Sequence, residues 1–128
     1  MMTTSTTMTS ILLDDHRLYK AIELFNSRAW YSAHDLFEEL WHETYGFERN
    51  TLQAFLQIAV AQLHLECGNT NGAILLYGEA LGRLENLRTP DLGFDIEQLC
   101  KCVNQRLKLL HQGADPGTFT VPFILKLA

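Results

Sequence analysis

The sequence predicts an all-α protein, a single compact bundle of about five helices. Apolar residues recur at three- and four-residue intervals along most of the chain, which is the period of a helix buried on one face. Strictly alternating runs long enough for a sheet are missing from the sequence. With 128 residues and 47% hydrophobic residues, the chain is long enough for one domain with its own core.

The first two predicted helices are bounded by recognisable start and stop signals. Asp14 or Asp15 can cap the first helix, whose apolar stripe is Leu18, Ile22 and Phe25. The second helix is predicted from about Ala29 to Tyr45, and it ends at Gly46.

The third predicted helix runs from about Asn50 to Cys67 and stops at Gly68-Asn69. Because it is apolar on most sides between Leu52 and Leu65, we expect it to be the buried central helix. The fourth helix covers about Asn71 to Leu87 and ends before Thr89-Pro90.

The fifth predicted helix begins after Asp95, which can cap it with Gln98 at the third position, and it ends at Gly113. The domain organisation follows from these limits. Residues 1–10 are predicted to form a flexible N-terminal tail, and residues 11–113 to form the helical bundle. Residues 114–128 are predicted to form a C-terminal tail packed on the bundle or on a neighbouring subunit, since Val121–Leu127 is short and apolar.

A weak internal repeat relates the second and fourth helices at an offset of 40 residues. Ala33 aligns with Ala73, and Phe37 aligns with Tyr77. Small alanines allow each helix to lie close to its predecessor, and the aromatic side chains fill the space between hairpins. The pattern predicts two antiparallel, tetratricopeptide-like hairpins, although two repeats and a fifth helix make a closed bundle and not a solenoid.

Composition disfavours several classes of function. The net charge of −5 and the absence of a basic run are atypical of nucleic-acid binding or of binding to anionic lipid. The sequence has neither a signal segment nor an apolar run of transmembrane length, so we expect a cytoplasmic protein. Cys67, Cys100 and Cys102 lack the spacing of a disulfide framework and are predicted to be buried, reduced thiols.

The second helix carries polar residues on its apolar face. At 100° per residue, His34, Glu38 and Trp41 fall within about 60° of one another, beside Trp30 and Phe37. Burying a histidine and a carboxylate costs free energy unless each has a partner. These two residues therefore belong either to a structural network or to a functional site.

The third helix carries a second polar stripe, formed by Gln53, Gln57 and His64. If the second and third helices are antiparallel neighbours, this stripe can face the first. The predicted result is a cluster of His34, Glu38, Gln57 and His64, with Trp30, Phe37 and Trp41 as its wall.

Three interpretations of this cluster remain open. It can be a satisfied structural network that fixes the register of the helices. It can also be a pocket for a small molecule or a peptide, since such pockets combine apolar walls with a few convergent polar groups. The third interpretation is a zinc or iron(II) site with His34, Glu38 and His64 as candidate ligands. The sequence lacks H-E-x-x-H, and the single E-x-x-H at Glu39 and His42 falls on the polar face.

The order of these segments resembles a known family. The chain has H-D-x-x-E-x-x-W at 34–41, L-Q-I-A-V-A-Q-L-H at 56–64 and G-N-x-x-G-A at 68–73. This combination is similar to the small all-helical prokaryotic family catalogued as domain of unknown function number 309, over roughly 22–110. The resemblance implies an all-α bundle without an assigned reaction. Asp35 stands where glutamate is usual in that family, and His42 stands where arginine is common.

The sequence thus favours a helical binding or protein-interaction module whose ligand is a peptide or a small molecule. We expect it to form a homodimer through its apolar C-terminal tail. The predicted binding residues are His34, Glu38, Trp41, Gln57 and His64. The alternative is a small metal-dependent or acid–base hydrolase, in which Glu38 is the base and His34 and His64 are ligands or proton shuttles. Apart from the divalent metal of that alternative, the sequence predicts no cofactor.

Overall fold

The computed structural model describes residues 11–127 and contains five α-helices. They are α1 (His16–Asn26), α2 (Trp30–Glu43), α3 (Phe47–Glu66), α4 (Thr70–Leu84) and α5 (Ile96–His111). Short 3-10 turns occur at Leu12–Asp14 and Pro116–Thr118. The predicted all-α fold is confirmed, and an isolated bridge between Phe94 and Lys126 is the sole β pairing in the described part of the chain. The predicted tail at residues 1–10 lies outside that part.

Capping residues set several helix ends as predicted, while other ends differ by a few residues. Asp15 accepts a hydrogen bond from the Arg17 amide at the start of α1, and Asp95 accepts one from the Gln98 amide at the start of α5. Helix α3 begins three residues earlier than expected, directly after Gly46, whose φ of 74° is left-handed. Helix α4 ends before residues 85–89, where the Asn86 side chain accepts a hydrogen bond from the Arg88 amide.

Each helix packs mainly on the next one along the chain, and α3 lies at the centre. The interior side of α3 buries Leu52, Phe55 and Ile58 completely. Between α2 and α3, the rings of Phe37 and Phe55 have centroids 5.7 Å apart. The predicted central position of α3 follows from its apolar residues, which cover more than one face.

The two aligned segments of α2 and α4 have the same burial pattern. Residues 33–40 and 73–80 agree position by position in which side chains are buried, half-buried and exposed. Ala33 and Ala73 are fully buried, and so are Phe37 and Tyr77. The 40-residue offset seen in the sequence therefore corresponds to equivalent packing positions in the bundle.

An exposed ion-pair network joins α1 to α2. The guanidinium of Arg17 bonds to Asp15 at 2.8 Å, Glu39 at 2.9 Å and Glu43 at 2.7 Å. Glu39 and Glu43 are one helical turn apart, so both can reach one guanidinium. The acidic outer face of α2 thereby positions the N-terminus of α1.

The C-terminal segment folds back over the bundle. The Asn26 side chain donates to the Ile124 carbonyl at 2.9 Å and accepts from the Ile124 amide at 2.8 Å. The Leu127 amide donates to the Gly93 carbonyl, and both Phe119 and Ile124 are buried. The segment covers the open edge of the core beside α1 and α5.

The sequence predicted that the chain has no transmembrane run and that its three thiols are buried. Within residues 11–127, no helix combines the length and apolar character needed to cross a bilayer. The three cysteines are free, but Cys67 is exposed and the other two are only half-buried, so the prediction of buried thiols was wrong for Cys67. Cys67 lies at the C-terminal cap of α3, where the chain leaves the core.

Candidate functional site

His34 and Glu38 lie side by side on α2, as predicted, but at the edge of the buried face. The side chain of His34 is 22% exposed and that of Glu38 is 48% exposed. His34 Nε2 lies 3.4 Å from Glu38 Oε2, and Nδ1 lies 3.4 Å from Asp35 Oδ1. Within residues 11–127, Nδ1 is buried without a well-formed hydrogen bond. The pair is therefore a loose, partly solvated contact.

Gln57 is buried in a polar network between α3 and α4. Its Nε2 donates to Glu79 Oε1 at 2.8 Å, and its Oε1 accepts from Arg83 Nε at 3.1 Å. Arg83 Nη1 also donates to Asn50 Oδ1 at 2.5 Å, and Asn50 Nδ2 donates to the Thr89 hydroxyl at 2.6 Å. Both polar ends of the Gln57 amide are thus satisfied by α4.

His64 belongs to the turn between α3 and α4. Its Nδ1 lies 3.1 Å from the Asn69 side-chain nitrogen, and the Asn69 amide donates to the His64 carbonyl at 2.7 Å. Asn69 in turn caps α4 by accepting from the Gly72 amide at 2.9 Å. His64 therefore holds the capping side chain in place.

The predicted cluster of His34, Glu38, Gln57 and His64 is not formed, because these residues lie in three separate places. Phe55 of α3 contacts Phe37 of α2. Gln57 follows Phe55 by two positions, or about 200° around the helix, and so faces away from α2. Hydrogen bonds and ion pairs of the described residues do not connect Gln57 or His64 to Glu38.

The candidate metal ligands are likewise not assembled. The described part of the chain has no group of three or more histidine, cysteine, aspartate or glutamate side chains with a geometry suited to a metal ion. His34 and Glu38 are adjacent, whereas His64 is bonded to Asn69.

A different group of polar residues does converge, in a groove of about 370 Å³ where the α2–α3 loop meets α4. We call it the arginine groove, and it is lined by Trp41, Gly46, Arg49, Asn50, Gln53 and Arg83. The guanidinium carbon of Arg49 lies 3.7 Å from the centroid of the Trp41 ring. Arg49 Nε is buried without a hydrogen-bond partner from the described residues.

One predicted site residue lines this groove, and another supports a residue that lines it. Trp41 forms part of the wall, and Gln57 accepts a hydrogen bond from Arg83. The sequence interpretation missed Arg49 and Arg83. The polar stripe at Gln53 and Gln57 pointed to this side of α3, but the sequence alone placed that stripe against α2.

The pKa shifts that follow from burial occur outside the arginine groove. Burial raises the pKa of Tyr77 to about 12, and Arg106, which donates to the tyrosine oxygen at 2.9 Å, opposes the shift. Burial also raises the pKa of Cys100 to about 11, so its thiol is a poor nucleophile at neutral pH.

The part of the chain from α1 into α4 matches the model of a known family. Residues 18–76 match the model of the family described as Domain of unknown function (DUF309). The predicted resemblance is confirmed over these residues. The matched range contains His34, Glu38, Trp41, Gln57 and His64, together with the glycine-asparagine turn. Comparison with curated proteins gave no match, and comparison with solved structures gave none either.

Proposed function

We propose that this protein is a helical interaction module whose arginine groove binds an acidic segment of a partner protein. The observation that carries the proposal is the convergence of two guanidinium groups, those of Arg49 and Arg83, in one groove. Neither forms an ion pair with the described residues, whereas Arg17 bonds to three carboxylates. A carboxylate ligand would supply the missing charge through charge-assisted hydrogen bonds.

The arginines are held in position before a ligand arrives. Arg83 is fixed by Gln57 and Asn50, and Arg49 is stacked on Trp41. Side chains that are already ordered lose less conformational entropy when they bind. Gln57, conspicuous in the sequence as a polar residue on a buried helix, thus acts as a support for a binding arginine.

The surroundings of the groove favour a peptide over a small inorganic anion. Tyr45 is 85% exposed and Phe47 is 58% exposed, on either side of the lining residue Gly46. Tyrosine, tryptophan, phenylalanine and arginine are enriched at protein interfaces, and lysine is depleted. The groove and its rim contain the first four residue types and no lysine.

The roles of His34, Glu38 and His64 in binding stay predictions, as do the tetratricopeptide-like hairpins, the homodimer and the cytoplasmic location. The equivalent burial of residues 33–40 and 73–80 supports a hairpin repeat. A sedimentation mass would test the dimer.

The acid–base alternative rests on the His34–Glu38 contact of 3.4 Å. Elemental analysis of untagged protein after addition of zinc or iron would test the metal alternative.

The binding proposal is tested by fluorescence anisotropy with two labelled peptides, one with four glutamates around a leucine and one with glutamines in their place. We expect the glutamate peptide to bind more tightly and to be released by salt. Arg49→Gln and Arg83→Gln should each weaken its binding about tenfold, as the loss of one charge-assisted bond predicts.

The matched control is Arg88→Gln, which removes an exposed arginine that does not line the groove. Circular dichroism of Arg83→Gln checks that the helices persist without its hydrogen bonds. Equal affinity for the two peptides, or equal weakening by the control, would contradict the proposal. Displacement of the peptide by inorganic phosphate at matched ionic strength would assign the groove to small anions instead.

A further inference from the structure

A second cavity, of about 280 Å³, lies where the C-terminal segment crosses α3 and α5. We call it the tail cavity. Its apolar wall includes Trp30, Phe119 and Val121, and its polar residues are Arg28, Gln62, Glu66 and Arg106. Pockets for small molecules combine apolar walls with a few polar groups in this way. The tail cavity shares no lining residue with the arginine groove.

Arg106 brings a buried positive charge to this cavity. The residue is 3% exposed, and it forms no ion pair with the described residues. Its Nε donates to the Tyr77 hydroxyl at 2.9 Å and its Nη1 to the Thr120 carbonyl at 2.5 Å. Among residues 11–127, Nη2 has no hydrogen-bond acceptor. A buried cation is costly without a counter-charge, so the site favours an anion.

Gln62 brings an unsatisfied acceptor to the same wall. The residue is 6% exposed, and its Oε1 is buried without a hydrogen-bond donor from the described residues. Buried polar atoms of this kind are few in folded proteins. The Gln62 side chain also lines the tail cavity. Glu66 adds a carboxylate beside it.

Arg28 adds a second cation from a strained position. It follows α1 in the left-handed region, with a φ of 66° that residues other than glycine rarely adopt. Its amide donates to the Phe25 carbonyl in the turn that ends the helix. The turn therefore carries arginine where glycine or asparagine would be less strained, and the arginine lines the cavity.

We infer that the tail cavity binds an apolar α-amino acid, whose carboxylate pairs with Arg106 and Arg28. Its ammonium group donates to Gln62 Oε1 and Glu66, and its side chain lies against Trp30 and Phe119. This ligand class supplies both of the missing groups, an anion for the buried guanidinium and a donor for the buried amide oxygen. The small volume of the cavity suits a ligand of that size.

Calorimetric titration with L-leucine tests the inference, with 4-methylpentanoate and 3-methylbutylamine as comparison ligands that lack the amine and the carboxylate respectively. We expect leucine to bind and each comparison ligand to bind at least about tenfold more weakly. Nitrogen-15 spectra should show the change at the Trp30 indole and not at the Trp41 indole.

Two variants keep the test independent of Arg106, whose replacement would also release the C-terminal segment. Gln62→Leu should weaken leucine binding about tenfold and leave 4-methylpentanoate binding unchanged. Arg28→Asn removes the cation but keeps a residue that tolerates the left-handed turn, and it should weaken both ligands. Arg88→Asn is the matched control and should change neither.

The inference is overturned if leucine shows no binding up to about 10 mM, a concentration well above the Kd of a built site. It is equally overturned if 4-methylpentanoate binds as tightly as leucine, or if Gln62→Leu and Arg28→Asn leave leucine binding unchanged. None of these outcomes affects the peptide proposal, because the two sites share no residue.

Discussion

At the scale of single residues, a polar side chain on an apolar helix face has three different explanations in this protein. Glu38 lies at the edge of its face and reaches solvent. Gln57 is buried and supports an arginine from α4. His64 holds the capping asparagine of the next helix. The same sequence signal thus corresponds to a surface contact, a support for an arginine and a turn.

Glu38 and Gln57 should differ sharply in their effect on stability. Glu38→Gln is expected to change the free energy of unfolding by less than about 1 kcal/mol, because exposed pairs contribute little. Gln57→Ala should cost about 1–3 kcal/mol, because it removes a buried side chain together with its hydrogen bonds to Glu79 and Arg83. Urea unfolding measures both. A loss of several kcal/mol for Glu38→Gln would show that its contact with His34 is structural after all.

Asp15 should make stability depend on pH in the acid range. Its side-chain hydrogen bond with Arg17 lowers the pKa from 3.8 to about 2 in the folded state. Because the folded pKa is the lower one, this stabilisation is present above pH 4 and is lost as pH falls from about 4 to 2. Asp15→Asn keeps the helix cap but removes the charge.

Urea unfolding at several pH values checks this prediction. The stability difference between the original chain and Asp15→Asn should shrink steadily between pH 4 and pH 2. Arg17→Gln should flatten the same part of the curve, because it removes the cause of the shift. A difference that stays constant over this range would mean that the Arg17 bond does not act on Asp15.

At the scale of elements, the turn between α3 and α4 explains most of the glycine-asparagine motif without any ligand. A Cβ at Gly72 would lie 2.6 Å from Asn69 Nδ2 and 3.1 Å from His64 Cγ. Glycine is therefore favoured where the capping side chain folds back over the first turn of α4, because a Cβ there would displace Asn69. The motif and His64 together form one structural unit.

Glycine-to-alanine changes in α4 should have opposite effects at two positions. Gly82→Ala is expected to raise the free energy of unfolding by up to about 1 kcal/mol, since its Cβ meets open space and alanine favours the helix. Gly72→Ala should lower it by about 1 kcal/mol, because Asn69 must move and the cap is lost. Thermal and urea unfolding measure both. Equal stabilisation by the two changes would contradict the structural role of the turn.

At the scale of the whole molecule, three features could be predicted from the sequence. They are the number of helices, the central position of α3 and the equivalent burial of residues 33–40 and 73–80. All three depend on periodic burial, which the sequence records directly. The partner of each polar face was not predictable, because periodicity gives the angle of a face but not the neighbour it meets. Gln57 therefore faces α4, although the sequence favoured α2.

The two cavities could not be predicted for a related reason. The tail cavity combines Arg28, Gln62 and Arg106, which are far apart in the sequence and come from separate elements. The arginine groove combines the α2–α3 loop with Arg83 of α4. Although the chain has 15 acidic and 10 basic residues, the arginines that line the two cavities form no ion pairs with the described residues.

We propose that the unpaired Arg49 and Arg83 form the surface that binds a partner. A nitrogen-15 spectrum of the full chain, titrated with the glutamate peptide, tests this proposal. We expect progressive shifts of the Trp41 indole and of the Nε–H groups of Arg49 and Arg83, with the Trp30 indole unchanged. Shifts elsewhere with Trp41 unaffected, or the same shifts with the glutamine peptide, would contradict it.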